Sequence, residues 1–318
     1  MDRRASIYAF TCGLTAAAFY VNGAPIRRIF RIGVLCANGE NLSLFVRALQ
    51  TAGYEDGRTA EIIFKRWDKP EQSIALADEL VAAKVDVIAA ASVLETRAAK
   101  HATSTIPIVM MYGLAPVELG LIASLARPGG NVTGTVAVPI ELVAKSVEIF
   151  RNTLPHLRRL TILLDDDPWA PVFLLETERA AQAMGIATQS LQIRTPADMK
   201  KVFSELRRYR PDGITVCHSL WPYDDEIVRF AASQKLPAIY GVIPAVRHGG
   251  FMAVAPDLPS VYVRTASIID RILNGVRPAD IPVEQPTLFI LAINQTAAKR
   301  LEITIPYSVL VSANVVFQ

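Results

Sequence analysis

The sequence has few of the residues on which metal, redox and nucleic-acid chemistry depend. It contains three cysteines and four histidines in 318 residues, and no two cysteines have the C-x-x-C spacing of a zinc or dithiol site. Lysine and arginine number 33 against 30 aspartates and glutamates, and no basic run stands out, so the electrostatic footprint of a nucleic-acid-binding protein is missing. We therefore expect no metal, no cofactor and no nucleic-acid partner.

Long apolar runs are also missing, except at the N-terminus. A short basic segment there precedes an apolar stretch rich in small residues over 5–21, and Val-Asn-Gly at 21–23 suits signal peptidase. This order is typical of a secretory signal, so we predict a signal peptide over 1–23, removed near Gly23, and a periplasmic mature protein; a frayed N-terminal helix is the alternative. Since no second run of about 18 apolar residues follows, we expect no membrane span in the mature chain.

From Arg31 onward, short apolar runs alternate with amphipathic stretches of helical spacing. Continuous apolar strands alternating with helices indicate a parallel sheet that is covered on both faces. The alternation occurs twice, on either side of the turn-forming segment 127–130, and the chain after about Gly250 is too short for a third unit. We therefore predict an α/β fold of two doubly wound parallel-sheet lobes joined by a three-crossover hinge. The predicted lobes comprise residues 31–134 with about 258–282, and 135–257 with about 283–318.

The carboxyl ends of the predicted strands indicate where a ligand binds, because ligands of open parallel sheets lie beyond those ends. Aromatic residues stand at several of these ends and suggest a cleft suited to a planar or apolar molecule; for each ring, ordinary lobe core is the alternative. The helix predicted to start near Ser92 offers exposed backbone N–H groups to a carboxylate. The predicted ligand-binding residues are Asn38, Ser92, Val93, Glu95, Tyr112, Asp166, Trp169, Ser219, Trp221 and Tyr240.

Three patterns suggest other chemistry, and each has a plainer interpretation. The acidic run 165–167 suggests a metal site, but no second acidic cluster accompanies it, which favours a polar loop. The glycine-rich segment 127–134 lacks phosphate-loop spacing and is predicted to follow a helix, whereas phosphate loops follow strands. His218 and Ser219 end a strand without the G-x-S-x-G pattern of a nucleophile. We expect no catalytic residues and no enzyme.

Several segments resemble one known family. LARPGGNVTG at 125–134 and VEQPT at 283–287 are the most specific of them. They are similar to ABC-transporter substrate-binding proteins related to tryptophan/tyrosine-binding receptors, and the likeness extends from about Arg31 to about Leu310. The resemblance implies a type I periplasmic-binding fold with three hinge strands, ligands that are often aromatic amino acids, and an ABC permease in the inner membrane as partner. Further similar segments are 85–88, 102–109, 120–124, 236–241 and 297–306.

Beside the predicted cleft the chain departs from the family's pattern. Members commonly have Gly-Asp-Pro-Val where this chain has Leu-Ala-Pro-Val at 114–117, so Ala115 cannot supply a carboxylate to an α-ammonium group. The Asn-Pro loop of the second lobe is here Asp-Asp-Pro-Trp at 166–169, and the Phe-Arg-Glu-type loop is Val-Ile-Pro-Ala at 242–245. Because an unpaired buried charge is penalised, Ala115 favours an aromatic or other organic acid without an α-amine. Asp166 and Glu95 are the residues that could replace the lost carboxylate.

The predicted function is a monomeric solute-binding protein of an ABC importer. Its two lobes close on one small, aromatic or carboxylate-bearing molecule, and closure supplies the surface that the permease recognises. A ligand sensor for an extracytoplasmic signalling partner would use the same fold and is the alternative left open. An α/β enzyme is disfavoured because the sequence shows no convergent acid/base set.

Overall fold

The structure is a computed structural model and describes residues 28–37, 42–285 and 288–318. The predicted signal peptide, 1–23, and the predicted ligand-binding residue Asn38 lie outside the described residues. Within the described ranges, no helix is both long enough and apolar enough to span a membrane.

Strands and helices alternate along most of the chain. The first elements are β1 (Phe30–Ala37), α1 (Ser43–Thr51), β2 (Ala60–Trp67), α2 (Ser73–Ala82), β3 (Val87–Ala90), α3 (Val93–Ala102), β4 (Ile108–Leu114), β5 (Val132–Val138) and α4 (Ile140–Thr153). They are followed by β6 (Arg159–Leu164), α5 (Ala170–Ala183), β7 (Ala187–Gln192), α6 (Asp198–Tyr209), β8 (Gly213–Val216), α7 (Asp224–Ser233), β9 (Ala238–Tyr240) and α8 (Ile243–Arg247). The last are β10 (Met252–Pro256), α9 (Leu258–Leu273), β11 (Phe289–Asn294), α10 (Gln295–Arg300), α11 (Tyr307–Ser312) and β12 (Val315–Phe317), and short 3-10 helices cover Pro70–Gln72, His218–Tyr223 and Pro278–Asp280.

The strands form two separate sheets, one in each lobe. The sheet of lobe 1 has the order β2-β1-β3-β4-β5, and all of its strand pairs are parallel. The sheet of lobe 2 has the order β12-β11-β10-β9-β8-β6-β7, in which only the β10–β11 pair is antiparallel. Strands β3 and β8 are buried at every residue, as expected for parallel strands with helices on both faces. The predicted two-lobed α/β fold is confirmed.

Helix α9 returns the chain from lobe 2 to lobe 1. Its residues Tyr262, Ala266 and Ile269 belong to the same apolar core as Ile32 and Val34 of β1. The chain crosses between the lobes after β5, again between β10 and α9, and a third time on the way from α9 to β11. These crossings form the predicted three-crossover hinge.

Glu284 connects the third crossing to the first. Its backbone N–H donates to the carbonyl of Gly134 over 3.0 Å, and the N–H of Val136 donates to the carbonyl of Glu284 over 2.8 Å. The Glu284 carboxylate accepts a hydrogen bond of 2.9 Å from Arg264 of α9. The hinge segments are therefore bonded to one another through their backbones.

The segment ahead of Arg127 differs from the prediction. The sequence analysis placed a helix there, but residues 115–131 form turns and bends without a helix. Ala115 has a positive φ of 39° and Gly120 one of 66°, and Pro116 between them lacks a backbone N–H. Such conformations interrupt the right-handed helix, so the chain passes from β4 to β5 through a run of turns.

Candidate ligand-binding site

Two aromatic rings from opposite lobes meet at the carboxyl ends of their strands. Tyr112 lies near the end of β4 in lobe 1, and His218 follows β8 in lobe 2. Their ring centroids are 5.4 Å apart and the ring planes differ by 29°, which is a stacked arrangement. Both side chains are half-buried. The lobes therefore touch where a ligand of this fold class is expected.

Close backbone approaches fix both rings on their own lobes. A Cβ at Gly241 would lie 2.6 Å from the Cβ of His218, so only glycine allows the end of β9 to approach this closely. A Cβ at Gly113, next to Tyr112, would lie 2.6 Å from the carbonyl oxygen of Thr135. The β4–β5 pairing also shifts register on either side of Gly113. Each ring thus sits on a backbone that has little room to move.

Burial lowers the pKa of His218 to about 4. The imidazole is therefore neutral at pH 7, with one ring nitrogen as a donor and the other as an acceptor. Among the described residues, the side chains of His218 and Tyr112 make no hydrogen bond within the protein. Their polar atoms can therefore serve a bound solute.

On the lobe 1 side, Ser92 and Glu95 cap the start of α3. The Ser92 hydroxyl accepts from the Leu94 N–H over 3.2 Å, while the Ser92 N–H donates to the Glu95 carboxylate over 2.9 Å. That carboxylate also accepts from the Ser92 hydroxyl and, over 2.8 Å, from the Trp67 indole N–H. Burial raises the pKa of Glu95, which is 1% exposed. The N–H groups of Ser92 and Leu94 at this helix start are therefore already bonded within the cap.

On the lobe 2 side, the acidic loop 165–167 follows β6. The Ser219 hydroxyl donates to Asp165 over 2.8 Å, and the Trp169 N–H donates to Asp167 over 2.8 Å at the start of α5. Burial raises the pKa of Asp167 to about 6; Asp165 and Glu95 of lobe 1 raise it further, and Arg97 of lobe 1 opposes them. The pKa of Asp167 therefore depends on charged groups of both lobes.

The predicted aromatic residues fall into two groups. Trp169 is 1% exposed and Tyr240 is 2% exposed, so both rings lie in the core. Trp221 is 46% exposed, and Tyr223 is half-buried. Tyr112 is the predicted aromatic residue that meets the opposite lobe.

A mainly apolar cavity lies behind His218 in lobe 2. Its volume is about 40 Å³, it opens to solvent, and Gly241 and Tyr240 contribute to its wall. Trp169 is buried against it from the start of α5. Other lining residues are Val138, Val143, Phe173, Val216 and Ile239.

The structure brings most of the predicted polar residues to the two sides of the cleft. Ser92 and Glu95 stand on lobe 1, and Ser219 on lobe 2 bonds to the acidic loop, in which Asp166 is exposed. Val93 is 1% exposed and belongs to an apolar core that also contains Trp169 of lobe 2. In the described part of the chain, no His, Cys, Asp and Glu residues are grouped as metal ligands.

Sequence reasoning missed two residues of this region. His218 was placed at a strand end and examined as part of a nucleophile pattern, but it was not among the predicted ligand-binding residues. Trp67 was missed because the apolar run that marks the second strand, residues 62–64, ends before it. The strand continues through Lys65 and Arg66 to Trp67. An aromatic residue three positions beyond a short apolar run was the available signal.

Comparison with known proteins identifies the family. A family model described as "ABC transporter substrate binding protein" matches residues 39–317. The chain belongs to the ABC transporter substrate-binding protein family. A tyrosine-binding protein of Clostridioides difficile (strain R20291) is 26% identical over 266 residues, covering 81% of this chain and 75% of that protein.

Two solved structures are similar to this substrate-binding protein. The ABC domain from Streptococcus pneumonia in complex with L-Trp has a TM-score of 0.85 at 24% identity, covering 91% of this chain and all of that one. A ligand-free, open substrate-binding protein with adhesive properties from Clostridium difficile has a TM-score of 0.68 at 23% identity, covering 91% and 99%. Both share the fold of this chain.

Membership in the family establishes the general role of the protein. Substrate-binding proteins bind a small molecule outside the cytoplasm and work with an ABC transporter; they are not enzymes. The sequence analysis predicted this family and this class of function, and both predictions are confirmed.

Proposed function

We propose that this substrate-binding protein is a periplasmic component of an ABC importer, and that its lobes close on a small planar aromatic solute. The observation behind this proposal is the contact of Tyr112 with His218, which joins the two lobes at their strand ends. The TM-score of this chain is higher with the L-Trp complex than with the open, ligand-free structure. This difference is expected if the two lobes of this chain are closed. Loss of solute uptake in a host strain lacking the protein would separate import from sensing, in which a signalling response would be lost instead.

Two observations bear on whether the solute carries an ammonium group, and they point in opposite directions. Ala115 is 3% exposed and holds a methyl group where the resemblance implies an aspartate, which disfavours an ammonium group. Asp165 and Asp167 are half-buried, and burial raises the pKa of both. A cation beside them would offset their mutual repulsion and their lost hydration. We propose that the 165–167 loop receives the ammonium group that residue 115 cannot.

The relatives support this choice of solute. One is named a tyrosine-binding protein and another was solved in complex with L-Trp, and both of these ligands combine a planar ring with an α-ammonium group. The proposed solute is accordingly an aromatic amino acid or a similar aromatic amine. An aromatic acid without an amine, which Ala115 favours, is the second candidate.

Thermal-shift and calorimetric titrations separate the two candidates. L-Tryptophan, L-tyrosine and L-phenylalanine are compared with phenylacetate and benzoate. We expect the amino acids to stabilise the protein, by about 2.7 kcal/mol at a concentration of one hundred times Kd, and the acids to have little effect. The reverse pattern would support the argument from Ala115, and no response to any aromatic compound would reject the aromatic solute.

A pair of variants tests the role of the acidic loop. Asp167→Asn keeps an oxygen that can accept from the Trp169 N–H but removes the charge, so we expect amino-acid binding to weaken about tenfold or more. Asp78→Asn, at an exposed position on α2, is the control and should bind as the wild type does. Equal affinity of the Asp167→Asn variant and the wild type would show that the loop does not bind the ammonium group.

A further inference from the structure

We propose that Tyr112 and His218 form a slot for the planar ring of the solute, which inserts between them and is stacked on both faces. This inference rests on the proposed function and names the residues that select the solute. It follows from the stacking of two rings from opposite lobes across the cleft.

The geometry of the pair suits insertion. A ring that contacts both faces needs about 7 Å between the planes of Tyr112 and His218, or about 3.5 Å on each side. The centroids lie 5.4 Å apart, so the two rings must move apart before a third ring can enter between them. Because the rings belong to different lobes, a small hinge rotation changes their separation without moving either backbone relative to its own sheet.

The positions of the rings make the slot selective. Gly241 and Gly113 allow the close backbone approaches that seat His218 and Tyr112, so the side chains have little freedom to adapt to a thicker group. A flat aromatic ring fits between two near-parallel planes, whereas a puckered saturated ring of the same size loses contact with one of them. The slot should therefore distinguish planar solutes from saturated ones of equal charge.

The polar atoms of the pair add a second kind of selection. The neutral imidazole of His218 can donate from one nitrogen and accept at the other, and the Tyr112 hydroxyl can do both. Neither side chain makes a hydrogen bond within the described part of the protein, so these atoms can bind a phenol hydroxyl or an indole N–H at the edge of the inserted ring. The slot therefore fits an aromatic ring with a polar substituent.

An alternative role for the stack is a latch that holds the lobes together without touching the solute. The two roles predict opposite changes in affinity. Removing one wall of a slot weakens binding of planar solutes. Removing a latch that the solute must break strengthens binding, because less energy is spent on opening.

Calorimetry on the purified protein with two matched pairs of compounds tests the proposal. The pairs are L-phenylalanine with L-cyclohexylalanine, and benzoate with cyclohexanecarboxylate, and L-tryptophan is added as a larger ring. At least one of the two pairs should bind to the wild type. Within that pair, we expect the affinity of the planar compound to be about ten times that of the saturated compound. Tyr112→Leu and His218→Leu should each weaken binding of the planar compound about tenfold and change that of the saturated one little.

Control variants separate stacking from general damage. Tyr112→Phe and His218→Phe keep an aromatic ring and should retain the preference for planar compounds even if a leucine variant folds poorly. Tyr307→Leu and His101→Leu lie on exposed surfaces away from the cleft, and their affinities should equal that of the wild type.

The outcomes distinguish this inference from the proposed function. Unchanged affinity in both leucine variants, or equal binding of planar and saturated compounds, would overturn the slot while leaving solute binding intact. Tighter binding in the variants would assign the stack to a latch. A protein that binds none of the aromatic compounds would overturn the slot together with the proposed aromatic solute.

Discussion

Replacing Trp169 by alanine is expected to lower the free energy of unfolding by about 3–5 kcal/mol, the usual cost of removing a large buried aromatic side chain. The indole is 1% exposed and packs in a core that also contains Val143 and Phe173. It also lines a small pocket of about 40 Å³, and the space left by the indole would add to that pocket. Urea denaturation monitored by circular dichroism measures the change in the free energy of unfolding.

Trp221→Ala is the matched control for Trp169. This second tryptophan is 46% exposed and lies in the 3-10 helix that follows β8. Truncation at exposed positions changes stability by about 0.5 kcal/mol or less, so the variant should remain folded while its solute affinity is measured. Equal loss of stability in the two variants would contradict the assignment of Trp169 to the core.

Gly134→Ala is expected to destabilise lobe 1 by about 3 kcal/mol or more, because the backbone of a neighbouring strand would have to move. Gly134 has φ +140°, and a Cβ at this position would lie 2.3 Å from the carbonyl oxygen and 2.5 Å from the nitrogen of Met110. Met110 is a backbone partner of Gly134 in the β4–β5 ladder. The substitution would therefore separate the two strands where the chain leaves lobe 1.

Gly130→Ala provides the comparison within the same glycine-rich segment. Gly130 has φ +65° but no atom within 4 Å of the added Cβ, so only the left-handed backbone contributes, at about 1–2 kcal/mol. Thermal unfolding of both variants tests the difference. If Gly130→Ala were as destabilising as Gly134→Ala, steric contact with Met110 would not explain the need for glycine.

The architecture was predictable because buried parallel strands leave a clear pattern. Strands β3 and β8 are apolar at nearly every residue, and the amphipathic helices between strands keep their spacing. The pattern does not predict the structure where charged residues lie within a strand or where the backbone conformation is unusual for the residue type. Lys65 and Arg66 are charged, so the apolar pattern does not show that β2 continues to Trp67. The turns over 115–131 include a positive φ at Ala115, which the residue type does not predict.

The sequence predicted that the site lies at the carboxyl ends of the strands. It did not predict how the side chains of the site contact one another. That Trp169 and Tyr240 stand at strand ends is evident in the sequence, but their burial depends on tertiary packing. Trp169 packs with residues of α4 and α5, and Tyr240 with residues of α7 and α8. The bond from Ser219 to Asp165 joins residues 54 positions apart. The stack of Tyr112 on His218 depends on how the lobes approach each other, which no local pattern encodes.

Native mass spectrometry of the protein freshly purified from its host tests the central claim most directly. The account predicts one aromatic amino acid or similar aromatic amine retained per chain, and its loss from the Tyr112→Leu variant. A chain that retains no small molecule, or one that retains a solute without an aromatic ring, would contradict the claim that the two lobes close on a planar aromatic solute.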